Sequence, residues 1–226
     1  MATQADINAH DQLITDLAAQ FGNSLEQLLP VVVLSLANID FTDRTALVTA
    51  FEPVRELINN NIQGLDQLAI NNLELNNVSA TTEIENTVTN LKTASSVSMD
   101  VALNNETNNL VDELVVAALL GTSVSAILLD FNNRIPAIIK RLIKSFDQTM
   151  IKFTSVLSRS LGGQLYKYVG GVIPNSRPFC TQHNNNTYTE AEINRIWTGV
   201  WQGKAPGDPF VVRGGYNCRH FFILEE

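Results

Sequence analysis

The sequence predicts a mainly α protein, with an N-terminal helical region over residues 1–161 and a small α+β domain over residues 162–226. Three observations predict it. Apolar residues recur at helical spacing up to about residue 160. Glycine is nearly absent before Gly121, where only Gly22 and Gly64 occur, and is frequent from Gly162 onward. Tyrosine and tryptophan occur only from Tyr166 onward. Glycine breaks helices and aromatic residues favour strands, so the composition changes where the architecture should change.

The chain has 226 residues, 45% hydrophobic and 17% charged, which suits a folded core and excludes the disordered class. A formal net charge of −8 excludes a molecule that as a whole clings to nucleic acid. The first residues, MATQADINAHDQLITDLAAQ, hold neither a basic n-region nor an apolar h-region, so no signal peptide is expected. Two cysteines are too few for a disulfide-rich scaffold.

Taken in order, Ile7, Leu13, Ile14, Leu17, Ala18 and Phe21 form one helical stripe. Thr42 and Asp43 suit the cap of a helix running through Ala46, Leu47, Ala50 and Phe51. Ile84, Val88, Leu91, Ser95 and Ser98 follow a 4-3 spacing whose polar end weakens any coiled coil. Four asparagine pairs, at 71–72, 76–77, 104–105 and 108–109, read as turns or helix ends. The stretch from Leu114 to Leu129 is apolar but shorter than the roughly 20 residues a spanning helix needs. It reads as a buried helix or helical hairpin, with a membrane-inserting segment as the alternative.

The clearest periodic element runs from Arg134 to Arg159. At 100° per residue, Ile135, Ile138, Ile139, Leu142, Ile143, Phe146, Met150, Phe153, Val156 and Leu157 fall within an arc of about 140°. Arg134, Lys140, Arg141, Lys144, Lys152 and Arg159 take the opposite side, against Asp147 as the one acid of that stretch. Asn132 or Asn133 is the expected N-cap, with Pro136 in the first turn. Up to Glu113 the balance is reversed, with three bases against sixteen acids. The basic face is therefore either solvated or a docking face for acidic protein, DNA or lipid.

Beyond Gly162, Tyr166 and Tyr168 alternate as on a strand, with Val172 a candidate to continue it. Thr189-Glu190-Ala191-Glu192 is a capping box that starts a helix through Ile193, Ile196 and Trp197. Phe210-Val211-Val212 leads through Gly214-Gly215-Tyr216 to a last apolar run, Phe221 to Leu224.

The order of motifs here resembles a known family. Tyr166-x-Tyr168 and Gly170 precede Arg177-Pro178-Phe179-Cys180; Tyr188-Thr189 and a helix follow; Gly214-Gly215-Tyr216-Asn217-Cys218-Arg219-His220 closes the set. It is similar to the C-terminal domain of phage Mu F-like head morphogenesis, or minor head, proteins, over residues 160 to 222. The resemblance implies a minor structural or assembly protein of a tailed bacteriophage head. It would be made in the host bacterial cytoplasm and carried in the virion. Implied partners are portal and capsid proteins; the charge split adds copies of itself and packaged DNA as further candidates, and a membrane is not expected. No enzymatic activity is expected. The alternatives are an enzyme or toxin built on the Cys/His-containing domain, or a membrane-active protein using residues 114–159.

Cys180, His183, Cys218 and His220 are all zinc-ligand types, brought from two places in the chain. The expectation is buried thiols in a packed motif. A zinc site and a Cys180–Cys218 disulfide in the assembled particle are the alternatives, and each requires the cysteines to be close. No cofactor is expected; zinc is the ion this donor set would suit. Arg177 and Arg219, each beside a motif cysteine, tie loops together or bind an anionic group. Trp197 and Trp201 read as packing residues. No P-loop, Rossmann glycine pattern or H-E-x-x-H motif is present.

Overall fold

A computed structural model describes residues 2–225. The described residues form α1 (Gln4–Leu36), α2 (Arg44–Thr49), α3 (Glu52–Gln63), α4 (Leu65–Leu75), α5 (Thr82–Leu119) and α6 (Val124–Ser160). β1 (Leu165–Val169), α7 (Pro178–His183), β2 (Thr187–Thr189), α8 (Glu190–Trp197), α9 (Pro209–Val212) and β3 (Phe221–Glu225) follow. The protein is mainly α with a small antiparallel sheet near the C-terminus, as the sequence predicts.

Helices give way to strands at the α6–β1 junction, yet compact packing draws a different line from a division at residue 161. Among the described residues, one unit gathers 2–16, 64–95 and 147–225; the other gathers 17–63 and 96–146. The physical reason is that a three-stranded sheet cannot bury its own face. It borrows helical turns from α1, α4, α5 and α6, whose sequences give no sign of the loan.

In the second unit, Phe21 lies 4.5 Å from Phe146 and Phe51 lies 6.2 Å from Phe131, between ring centroids. Asp43 is the N-cap of α2, its side chain accepting from the Ala46 amide at 3.0 Å. The apolar stretch from Leu114 to Leu129 forms the hairpin between α5 and α6, turning at Gly121 with φ of 73°. Leu114 is buried, but Val116, Leu119, Leu120 and Leu129 are 54%, 70%, 78% and 62% exposed. The expected buried hairpin is therefore corrected: its tip lies at the surface. Among the described residues, no helix is long and apolar enough to cross a membrane.

α6 begins ten residues before the expected start. Ser123 takes the capping role, its hydroxyl accepting from the Ala126 amide at 3.3 Å. Asn132 and Asn133 therefore lie inside the helix, and so does Pro136, which costs one backbone hydrogen bond there. Periodicity marked the apolar arc correctly: Ile135, Ile138, Ile139, Leu142, Phe146, Met150, Phe153 and Leu157 are buried.

The first unit holds the sheet, in the order β2-β1-β3, with Tyr166 opposite both Tyr188 and Leu224, and Tyr168 opposite Phe222. Polar side chains from α6 and from the C-cap of α4 satisfy the free edge of β3. The Leu224 amide donates to Asn76 Oδ1 at 2.6 Å, and the Phe222 amide to Ser155 Oγ at 3.1 Å. Asparagine thus serves differently from the expectation. Only the 76–77 pair ends a helix, whereas 71–72, 104–105 and 108–109 lie inside α4 and α5. Asn72 is fully buried and bonds Ser158 Oγ at 3.1 Å.

His10 is also fully buried, with Nδ1 2.5 Å from Asn71 Oδ1 and Nε2 3.0 Å from Thr154 Oγ1. Burial holds its pKa below the ordinary 6.5. The unfolded chain then binds the proton more readily, so this group's contribution is full above pH 6.5 and is lost as pH falls through the lower folded value. Asp147 acts oppositely, because burial raises its pKa above 3.8. We expect acid destabilisation below pH 6.5 with a His10-dependent slope of up to ~1.4 kcal/mol per pH unit. Urea midpoints of the protein and of His10→Gln between pH 5 and 7.5 measure it; equal slopes would disprove the assignment.

Candidate metal centre

Central strand β1 places Tyr168 in the core at 1% exposure, with its hydroxyl directed at two sulphurs. Cys180 comes from α7, a short helix that starts at Pro178 because proline presets the first-turn backbone. Cys218 and His220 come from the segment entering β3. Alternate residues of an extended chain share a side, so the C-x-H spacing that looks tight for one centre brings both groups to it.

The Cys180 and Cys218 sulphurs are 3.7 Å apart and both thiols are free, so they are neighbours without being a disulfide. The Tyr168 hydroxyl lies 3.2 Å from Cys218 Sγ and 3.6 Å from Cys180 Sγ. His220 Nδ1 lies 3.8 Å from Cys218 Sγ. All three donor residues are buried, and their ligand atoms lie within 4.8 Å of one another. This Cys180, Cys218 and His220 cluster has the composition and spacing to hold a metal ion.

His183 does not join it. Its Nδ1 is 2.7 Å from the Tyr188 hydroxyl, and its ring packs on Phe179 at 4.5 Å. The four-residue set read from the sequence becomes three, because Tyr188 and Phe179 hold the His183 ring.

Aromatic packing fixes the donors. His220 stacks on Tyr168 at 4.9 Å and 12°. Phe179, next to Cys180, stacks on Trp201 at 4.1 Å, and Trp201 Nε1 donates to the Gly214 carbonyl at 3.0 Å. The capping box at Thr189 and Glu192 starts α8, which delivers Trp197 to the same cluster.

The two thiols are electrostatically unequal. Their shared hydrogen bond, with help from His220 and Tyr168, pulls the Cys218 thiol down; the same bond and burial push Cys180 up. Burial raises the Tyr168 phenol well above 10, so it stays a hydrogen-bond donor to sulphur.

Two positions escaped the sequence reading. Arg213, 1% exposed, donates to Gln148 Oε1 at 2.9 Å and to the Cys218 carbonyl at 3.0 Å. Its cation behind Cys218 favours the thiolate. Only its place before the Gly214-Gly215 pair hinted at it. Gly214 was read as motif, but its role is spatial. A Cβ there would stand 2.5 Å from Cys180 Sγ, 2.7 Å from the Tyr168 oxygen and 2.9 Å from Cys218 Sγ.

The remaining motif residues build the surroundings. Arg177 donates to the Tyr216 carbonyl. Arg219 reaches Asp11 at 3.4 Å and Asp147 at 3.3 Å. Asn217 takes a left-handed φ of 57° that aims the next residue, Cys218, inward. Tyr166 meets Phe210 edge-on at 5.0 Å.

On the basic helix, Arg134 pairs with Glu113 and Asp130, Arg141 with both oxygens of Glu106, and Arg159 with Glu190 and Asp208. Lys152 is half-buried. Lys140 and Lys144 are exposed and, among the described residues, form no ion pair. Of the basic face, these two lysines are thus the main part left without an ion pair among the described residues. Exposed pairs such as Arg141–Glu106 contribute roughly 0–1 kcal/mol, so they orient more than they stabilise.

Fold and site together define a helical protein whose small C-terminal sheet encloses a buried two-cysteine, one-histidine cluster. No protein-family model, curated protein or solved structure matches the chain.

Proposed function

We propose that this protein is a minor structural or assembly component of a tailed-phage head, contacting portal or capsid. The observation that carries the reading is the convergence of its two motifs. Arg177 to Cys180 and Gly214 to His220, far apart in sequence, meet around Tyr168, with the sulphurs 3.7 Å apart. A motif set that packs as one unit is what a shared domain requires; chance matches would scatter. Lys140 and Lys144 are the part of the basic face available to a partner in the particle.

The ion we propose for the cluster is zinc. Two thiolates and one imidazole are its preferred donors, and a tetrahedral zinc with bonds of about 2.3 Å sets two sulphurs about 3.75 Å apart. Packed thiols alone would give a similar spacing. They do not account for the buried imidazole beside them, whose Nδ1 lies 3.8 Å from Cys218 Sγ.

Mass spectrometry of purified proheads and virions tests the head reading. The chain is expected in both, and its absence from both overturns the proposal. Metal analysis of the purified protein tests the ion, with zinc expected in the protein and lost in Cys180→Ser.

A further inference from the structure

The three donors, Cys180, Cys218 and His220, line the same cleft, of about 560 Å³. Arg177 and Arg219 also line it, and among the described residues no Asp or Glu does. Arg219 is engaged with Asp11 and Asp147, but Arg177 forms no ion pair among the described residues. His183, the fourth ligand type in the motif region, is held by Tyr188 instead. Zinc held by three protein donors keeps a fourth position for an exogenous ligand, whereas closed structural sites use four.

We infer that the cluster is an open zinc centre, whose fourth position takes a carboxylate entering through the cleft past Arg177. The inference rests on the zinc reading above. A carboxylate suits zinc as an oxygen donor, and the guanidinium of Arg177 matches its two oxygens. The donor is either a free small carboxylate or an acidic side chain of another copy of this strongly acidic chain. The Tyr168 hydroxyl, 3.2 Å from Cys218 Sγ, would then hydrogen-bond the bound thiolate and not the metal.

Cobalt substitution tests this on the full chain. Cobalt gives thiolate charge-transfer bands on binding, and visible bands that respond to a change of fourth ligand. Saturable movement of the visible bands with acetate supports the inference and identifies a free carboxylate as sufficient. Movement on concentrating the protein without acetate also supports it and assigns the donor to another copy. Arg177→Gln is expected to raise half-saturation roughly tenfold.

Cobalt bound with visible bands unmoved by acetate or by protein concentration means a closed site and overturns the inference alone. A response seen only in Tyr168→Phe also overturns it, because the phenol would then be the fourth ligand. No cobalt uptake at all overturns the zinc reading itself.

Discussion

Replacing Tyr168 by alanine is expected to destabilise the sheet-containing unit by about 3–5 kcal/mol. The ring sits on the central strand, 1% exposed, 5.0 Å from Phe222 and stacked on His220 at 4.9 Å. Its removal opens a cavity among groups pinned by the backbone pairing of β1 with β3, which limits collapse. It also removes the hydroxyl that lies within hydrogen-bond reach of both sulphurs. Tyr168→Phe keeps the ring and should cost only about 1 kcal/mol, the scale of a lost hydrogen bond. Urea titration followed by tryptophan fluorescence separates the two, because Trp197 and Trp201 both belong to this unit. An alanine variant within about 1 kcal/mol of the parent would show that the ring does not organise this core.

On the zinc proposal, Gly214→Ala is expected to abolish metal retention while leaving the helical content in place. A methyl group at this position meets the Cys180 sulphur at 2.5 Å, the Cys218 sulphur at 2.9 Å and the Tyr168 oxygen at 2.7 Å. None of these is the free end of a flexible chain, so accommodation spreads the donors apart. Overpacking of this kind costs about 1–3 kcal/mol, enough to distort a centre without unfolding the protein. Zinc content after dialysis and far-ultraviolet circular dichroism are the two readouts. Full zinc content in the alanine variant would show that the space at Gly214 is not what lets the donors converge.

Much of this architecture was legible in particular residues. The arc from Ile135 to Leu157 marked a buried helix face because ten apolar side chains at helical spacing leave little alternative. Thr189 and Glu192 marked the start of α8, because a capping box is a local interaction complete within four residues. The sequence named Cys180 and Cys218 as thiols that a zinc site or a disulfide would need close together, and their sulphurs are 3.7 Å apart.

Errors arose where local signals have two meanings. Asparagine favours turns in isolation, but Asn72 is a buried hydrogen-bonding group inside a helix. Pro136 looked like a first-turn residue, yet Ser123 starts the helix earlier. The apolar run from Leu114 to Leu129 looked buried, and its tip is exposed.

The sequence by itself determined what depends on neighbours along the chain: helix periodicity, caps, the change from helix to sheet near residue 162, and the residue types of the cluster. Only the tertiary structure decided which donors converge. His183 is lost to Tyr188, and Tyr168, Gly214 and Arg213 enter the site. It also decided that the first turns of α1 share a unit with the C-terminal sheet. The physical reason is range. Periodicity and capping are set within a few residues, whereas a side chain's partner across the core depends on how separate elements pack, which no local pattern encodes.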